Sequence, residues 1–437
     1  MTEITQLIDD KRVGGFHFRV MAFCGLVMLF DGYDITVMGL AVPSAGAALH
    51  LPPAAFTLAL TASLVGLGLG AGFGGPLGDR LGRKRVMAWS LTIAALATLA
   101  TAFSGTTTDF FIWRLLTGLG IGGMVPNATT LTAEYMPLRK RSWLVTIMYC
   151  SVGVGGFLAG IIATPVMAAA VKLGIADWRG LFIFGGVGSL IAAAAVAVFT
   201  PESIKFLMAK RPGDPRIPRI AAGLFPGLDP ASLTIAPEIA RRYSVLDLLS
   251  REYRARTALI WVIYVFNIFI IYLLTSWLPT ILRAAHWTSP QALTATGMFQ
   301  LGGVVGAFAL SGQIDRGRPN LGLTIGYSLG AVALLGLVIT PTSFVNWAGL
   351  ILLVGVGIAG AQNMVVAISA ALYPLTIRAT GVGWAVTIGR IGAISAPPVG
   401  AMIIQHFTPV QALGLMIIPA LIAAGASVLI RKAWLER

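Results

Sequence analysis

Apolar residues dominate this chain in long runs, which are separated by short polar breaks or breaks containing Pro and Gly. A bilayer core about 30 Å thick requires roughly 20 apolar residues per helix, and twelve runs are of about that length. The predicted spans are residues 18–43, 55–77, 86–104, 109–135, 143–170, 179–199, 257–282, 290–312, 321–340, 345–372, 381–405 and 409–430. The pattern predicts an all-α membrane protein with twelve transmembrane helices.

The composition agrees with this prediction, because 57% of the 437 residues are apolar and only 11% are charged. Soluble domains average about 25% charged residues, so most of this chain must contact lipid. The two cysteines, Cys24 and Cys150, lie in apolar runs, and four histidines are scattered along the chain. They form neither a disulfide framework nor a metal-ligand set. We therefore expect no metal, no cofactor and no enzymatic activity.

The basic residues are distributed unevenly between the two sides of the predicted membrane. With both termini in the cytoplasm, 26 of the 31 Lys and Arg residues fall on that side, and only Lys172, Arg179 and Arg283 fall outside. The positive-inside rule favours this orientation in a cell (inner) membrane. The net charge of +14 thus reflects topology, and we expect no nucleic-acid partner. Arg114 and Arg390 remain within the membrane.

A long polar segment divides the chain into two sets of six helices. We predict an N-terminal six-helix bundle over residues 1–199, a cytoplasmic linker over 200–256 and a C-terminal six-helix bundle over 257–437. An amphipathic helix is predicted within the linker at residues 244–254. The two halves repeat at an offset of 237 or 236 residues, which favours a parallel duplication with two pseudo-symmetric bundles. The first-half residues that recur are Gly120, Ile121, Gly123, Pro137, Leu138 and Arg141, and at the second offset Asp79 and Arg80.

Several glycines follow one another at a spacing of four residues. This spacing places them on one helix face and lets two helices approach closely. We predict helix packing for the three sets, which are residues 66, 70 and 74, residues 118 and 122, and residues 156 and 160.

Four local motifs give the chain a family resemblance. The loop Gly78-Asp79-Arg80-Leu81-Gly82-Arg83-Lys84-Arg85 is similar to the signature of the major facilitator superfamily. The first helix carries Asp31-Gly32-Tyr33-Asp34, helix four runs from Arg114 to Asn127, and helix eleven begins with Arg378-Ala-Thr-Gly-Val-Gly-Trp384. These resemble the aromatic acid:proton symporter branch of that superfamily over essentially the whole chain. The resemblance implies the major facilitator fold. Ala396-Pro397-Pro398 departs from the Gly-Pro that is commoner in the branch.

Asp31 and Asp34 are candidates for proton coupling. They are three residues apart and share one helix face, where two carboxylates in a low dielectric cannot both ionise without a large cost. A charge at the bilayer centre costs about 3 kcal/mol, so both side chains should face the bundle interior. The alternative is a static pair that is buried for packing.

Arg114 is the predicted partner of this pair. It begins helix four, and its long side chain can reach toward Asp34. The resemblance supports Asp34 in particular, because related sugar porters also have Gly-Tyr-Asp in helix one and an Arg in helix four. The alternative is an arginine that snorkels to the outer interface.

Arg390 is the candidate for binding a substrate carboxylate. It lies about 14 Å into helix eleven, near the midplane, where snorkelling cannot compensate its charge. The alternative is a structural arginine that caps carbonyl groups freed by Pro397 and Pro398.

Polar and aromatic residues at similar depth complete the predicted substrate site. Helix seven offers aromatic surface for a ring, with Tyr264 and Asn267 on one face. A polar side chain in a membrane helix can also serve only as an interhelical contact. The remaining candidates are Asn127, Gln300, Gln362 and Asn363.

A cytoplasmic latch is predicted from acids in the loops. Asp79 can interact with the positive end of the helix-eleven dipole, and the repeat offers Asp315 to helix five. Arg83, Glu134 and Arg141 are expected to extend the latch. The alternative, a basic anchor on the cytoplasmic side, does not account for the acids.

These features predict a monomeric secondary transporter that imports a small aromatic carboxylate with protons, of benzoate or hydroxybenzoate type, by alternating access. Two alternatives remain open. One is a proton-coupled carrier or exporter of non-aromatic acids or sugars. The other is a membrane sensor that binds without translocating, although the short tails leave little room for a signalling extension.

Overall fold

The computed structural model describes residues 2–226, 233–234, 245–315, 319–374, 377–430 and 434. Twelve long helical stretches occur within these residues, and we number them α1 to α12. They are α1 Gly15–Leu49, α2 Thr57–Leu81, α3 Arg83–Thr101, α4 Thr107–Tyr135, α5 Arg141–Lys172, α6 Asp177–Phe199, α7 Arg254–Ala284, α8 Ser289–Asp315, α9 Pro319–Ile339, α10 Phe344–Val354 with its continuation Ala361–Ala371, α11 Arg378–His406, and α12 Pro409–Leu415 with Ile417–Val428.

The helices coincide with the twelve predicted spans. Ten helical stretches in the described part of the chain are long and apolar enough to cross a membrane. The other two are α3, which begins with three basic residues, and α4, which contains Asp109, Arg114 and Glu134. The all-α prediction is thus confirmed. Thr2–Glu3 and Leu233–Thr234 add a two-residue parallel strand pair.

Contacts divide the chain into two compact units. The first unit comprises Met1–Gly32, Val65–Gly155 and Phe182–Ile239. Its apolar core joins α1, α3 and α4 to two short linker helices, Ile204–Lys210 and Arg216–Leu224. These linker helices are amphipathic and bury residues such as Phe206 and Ile220 in that core.

The second unit comprises Tyr33–Leu64, Gly156–Leu181 and Ala240–Arg437. Its core includes buried residues of α7, α9, α10 and α12. Within α10 the segment Gly355–Ala359 is a π-helix, and the Gly360 amide donates to the Gly355 carbonyl over 2.9 Å. Such widened turns recur at functional positions of membrane and soluble proteins.

Glycines allow pairs of helices to touch within each unit. In the first unit, a Cβ at Gly66 or Gly70 of α2 would collide with the backbone of α4. In the second, a Cβ at Gly302 or Gly306 of α8 would collide with the backbone of α10. The predicted glycine packing is therefore confirmed, and the two sets stand 236 residues apart, as the proposed repeat requires.

The predicted amphipathic helix at residues 244–254 is wrong in its extent. The described part of this segment contains only the short helix Val245–Leu248, and α7 begins at Arg254. Leu248 is fully buried, whereas Leu246 and Leu249 are exposed. The segment thus buries one leucine and does not present a continuous apolar face.

Candidate functional site

Both α1 carboxylates are buried, as expected for groups that avoid lipid. Asp31 is 6% exposed and Asp34 is 7% exposed. Between them, the Tyr33 hydroxyl donates to the Leu181 carbonyl over 2.8 Å. Gly32 packs against the Val152 backbone of α5, where no side chain would fit. The acids therefore lie on a helix segment whose neighbours fix its position.

Arg114 is completely buried in a polar pocket of the first unit. One terminal guanidinium nitrogen donates to the hydroxyls of Thr98, Thr101 and Thr117, over 3.1, 3.3 and 2.9 Å. The Phe182 ring lies 5.2 Å from the guanidinium carbon, within cation–π range. This side chain does not reach the surface, so the snorkelling alternative does not describe it.

Arg390 lies half-buried in α11. Within the described residues it forms neither an ion pair nor a side-chain hydrogen bond, so it caps none of the carbonyls near Pro397 and Pro398 there. The Pro397 carbonyl instead accepts a hydrogen bond from the Trp277 indole over 3.0 Å. A half-buried guanidinium without a protein partner is available to an anionic ligand.

Aromatic and amide groups of α7 and α10 lie near this part of α11. Tyr264 is buried, and its ring packs against Gly389, the residue before Arg390. Asn267 lies three residues further along the same helix face, and its amide nitrogen donates to Gln362 of α10. The Asn267 amide oxygen is buried and accepts no hydrogen bond from any described residue. This group of residues, Tyr264, Asn267, Gln362 and Arg390, is called the α7–α11 cluster below.

Two other amide candidates have protein partners. Asn127 donates to the carbonyls of Gly74 and Gly123, both over 2.8 Å, and so connects α2 with α4. Gln300 donates to the Thr36 hydroxyl over 2.9 Å. The structure thus gives both an interhelical role, and substrate contact by either stays a prediction. Asn363 is half-buried next to Gln362.

The cytoplasmic candidates form a network in the first unit. Arg83 pairs with Asp79 at 2.9 Å and with Glu134 at 3.3 Å, while Asp79 remains 70% exposed. Arg141 pairs with Asp9 and donates to the Met136 carbonyl over 3.1 Å. Asp315 is the last residue of α8, and its side chain lies outside the described residues.

Sequence reasoning missed Glu202 and Ser203, which bring the linker into this network. The Glu202 carboxylate accepts hydrogen bonds from the Lys84 and Ser203 amides, each over 3.0 Å. The Ser203 hydroxyl donates to Glu134, and Tyr135 donates to the Glu202 carbonyl. An acid at the start of a linker was the available signal, but only the fold shows what it binds.

The linker carries one further ion pair, between Asp214 and Arg216 at 2.7 Å. Hydrogen bonds from the Arg216 side chain and amide hold the pKa of the Asp214 carboxyl well below its usual range. No three His, Cys, Asp or Glu side chains in the described ranges are grouped so as to hold a metal ion.

Comparison with known proteins agrees with this architecture. The model of the Major Facilitator Superfamily matches residues 24–397 and 260–435. The chain is 35% identical to a gallate transporter of Pseudomonas putida, over 92% of this chain and 89% of that one. It is 33% identical to the 4-hydroxybenzoate transporter PcaK of Pseudomonas aeruginosa, over 98% and 95% of the two chains.

Solved structures show the same fold. The xylose transporter XylE of E. coli, in a partially occluded inward open conformation, superimposes with a TM-score of 0.74 at 16% identity, covering 94% of this chain and 97% of that one. The fold and the motif residues together define a multi-pass membrane transporter and not an enzyme. The chain belongs to the major facilitator superfamily, and its relatives include transporters of aromatic acids.

Proposed function

We propose that this protein imports a small aromatic carboxylate together with protons across the cell (inner) membrane, with both termini in the cytoplasm. The observation that carries the proposal is Arg390, a half-buried arginine in α11 with no ion-pair or hydrogen-bond partner among the described residues. A planar guanidinium binds a carboxylate with two parallel hydrogen bonds, and binding compensates a charge that is costly within the membrane.

The rest of the α7–α11 cluster suits a ring with polar substituents. Tyr264 packs beside Gly389 and offers an aromatic face, while the buried Asn267 oxygen can accept a hydrogen bond from a ring hydroxyl. Relatives named for gallate and 4-hydroxybenzoate transport support benzoates and hydroxybenzoates as the substrate class.

Proton coupling is proposed for Asp31, Asp34 and Arg114. Burial of both acids to 7% exposure or less disfavours two simultaneous charges and favours one protonated carboxyl. Arg114 is held in its threonine pocket and is the proposed counter-charge to Asp34. Protonation of Asp34 would release that counter-charge during each transport cycle.

Alternating access is supported by contacts inside the second unit. The unit includes part of α1 and α5, and Gln300 of α8 binds Thr36 of α1. Gly39 packs on the carbonyl of Thr275, and Gly160 packs on Gly297. These side-chain-free contacts resemble a closed gate on the outer side, and transport would require them to separate.

The cytoplasmic network is proposed as the opposing gate. Asp79 would interact with the first turn of α11 when the inner side closes, and Asp315 would act on α5 in the same way. Arg83, Glu134 and Arg141 would position the loops that carry these acids, through the contacts described above.

Proteoliposome uptake tests the proposal. Protein with wild-type sequence should accumulate 4-hydroxybenzoate against its gradient when the outside is acidic, and glucose or succinate should not replace it. Asp34→Asn should abolish accumulation but retain exchange of labelled for unlabelled substrate. Asp10→Asn, an exposed acid near the N-terminus, serves as the matched control and should accumulate normally. Full accumulation by Asp34→Asn would contradict the coupling role, and preferential uptake of succinate or sugar would contradict the substrate class.

A further inference from the structure

A second cavity lies in the second unit, far along the chain from the α7–α11 cluster residues of α7 and α11. It has a volume of about 320 Å³ and is bounded by the ends of α7 and α11, the start of α12 and the segment that connects α1 with α2. Its lining is mainly apolar, with Pro52, Ile281, Ile404 and Phe407 among the contributors. Small-molecule sites of about 300 Å³ or more with such lining are typical of ligand pockets.

Thr280 is the unusual polar residue of this lining. Helical threonines of this chain, such as Thr296, Thr324 and Thr340, donate to the carbonyl four residues earlier. The Thr280 hydroxyl instead is buried, and it has no hydrogen-bond partner among the described residues, while the residue is 8% exposed. A buried hydroxyl without a partner costs about 1–3 kcal/mol, which a ligand in the cavity could recover.

Cationic and imidazole groups lie next to the lining residues. Arg283 is exposed, adjoins the lining residue Ala284 and donates to the Trp287 carbonyl over 2.6 Å. His50 and His286, which stand 236 residues apart, follow the ends of α1 and α7 with positive φ angles of 55° and 65°. His406 ends α11 between Gln405 and Phe407, which both line the cavity. Donors suited to a carboxylate thus adjoin an apolar chamber.

We propose that this cavity is a second binding site, which takes a single-ring aromatic carboxylate at the outer surface of the transporter. The ring would occupy the apolar chamber, a ring hydroxyl would bind Thr280, and the carboxylate would lie toward Arg283. The proposal rests on the proposed function for the identity of the ligand and for the outer location. It adds a site that is separate from Arg390 and does not depend on translocation.

Cysteine protection tests this proposal directly. In full-length protein with Cys24→Ala and Cys150→Ala, Ala284→Cys places a thiol at the exposed edge of the cavity. We expect saturating 4-hydroxybenzoate to slow alkylation by a membrane-impermeant maleimide at least threefold, and 4-hydroxybenzamide to have no effect. Thr342→Cys, in an exposed loop before α10, is the matched control and should react at an unchanged rate.

The same measurement in an Arg390→Ala background separates the two sites. Protection that persists in this background supports the proposal, because the ligand then acts without Arg390. Protection that is absent, or that disappears with Arg390→Ala, overturns it while leaving the proposed import intact. Loss of proton-driven uptake with protection retained would instead count against the proposed function alone. Thr280→Val should weaken protection by 4-hydroxybenzoate severalfold more than protection by benzoate.

Discussion

The two arginines within the membrane-spanning helices lie in contrasting environments. Arg114 is fully buried and surrounded by three threonine hydroxyls and the Phe182 ring. Arg390 is half-buried and has no hydrogen-bond or ion-pair partner among the described residues. Both guanidiniums would be equally costly in lipid. The protein compensates the first charge with its own groups and leaves the second available.

This difference separates two ways of using an arginine. A guanidinium that is saturated by fixed hydroxyls contributes to the folded structure and to a permanent local potential. A guanidinium without protein partners gains most from a ligand, because binding adds hydrogen bonds that the free protein lacks. We therefore expect substitutions of Arg114 to affect stability, and substitutions of Arg390 to affect ligand binding.

The largest expected effect on stability is that of Arg114→Ala. The change removes three charge-assisted hydrogen bonds and a cation–π contact, and breaking such a buried arrangement costs about 3–5 kcal/mol. The apparent melting temperature of purified protein should fall by several degrees. Arg390→Ala, the matched control, should melt within about one degree of wild type, because a partly accessible, unpaired side chain contributes little. Equal destabilisation by both variants would remove the distinction between them.

Arg390→Lys should reduce substrate affinity about fivefold to tenfold, which corresponds to about 1–1.4 kcal/mol. Lysine keeps the positive charge but cannot form two parallel hydrogen bonds with a carboxylate. Equilibrium binding of labelled 4-hydroxybenzoate to the purified variant measures the change. Arg114→Lys, which should alter melting more than affinity, is the comparison variant. Wild-type affinity in Arg390→Lys would show that charge alone suffices.

Thr98→Val should destabilise the protein by about 1 kcal/mol. The substitution keeps the shape of the side chain but removes a hydroxyl that accepts from Arg114 over 3.1 Å. Thr92→Val on the same helix is the matched control, because the Thr92 hydroxyl donates only to the Ala88 carbonyl. Melting of the two variants side by side measures the difference. Identical melting would mean that the threonine pocket does not stabilise Arg114.

Asp79→Asn should have the smallest effect on stability, because its ion pair with Arg83 is 70% exposed on the acid side. The expected change is in conformation, since an acid near a helix N-terminus contributes up to about 1 kcal/mol. Accessibility of single cysteines from each side of the membrane should shift toward the inward-facing form. An unchanged accessibility pattern would contradict the latch.

The sequence predicted the parts of the fold that depend on local patterns. Span length follows from bilayer thickness, and four-residue glycine spacing predicted the α2–α4 contact at Gly66 and Gly70. Burial of Asp31 and Asp34 followed from the cost of charge in lipid. Each of these predictions needs only a few neighbouring residues.

The features that the sequence did not predict depend on contacts between distant residues. Glu202 binds the Lys84 amide, 118 residues away, and Gln300 binds Thr36, 264 residues away. Nothing local distinguishes Gln300 from Gln362, yet only the tertiary fold gives the first a threonine partner in α1. The unpartnered Thr280 hydroxyl is likewise visible only when its backbone carbonyl distance and cavity are known.

The most direct test of the account measures how Arg390 discriminates between acid and amide. Wild-type protein should bind 4-hydroxybenzoate at least tenfold more tightly than 4-hydroxybenzamide, because only the acid offers a carboxylate to the guanidinium. Competition against labelled ligand in the Ala284→Trp background, which fills the outer cavity, restricts the measurement to the inner site. Arg390→Ala should bind the acid weakly and lose the preference. Retention of the wild-type preference in Arg390→Ala would contradict the account and make Arg114 the candidate for binding the carboxylate.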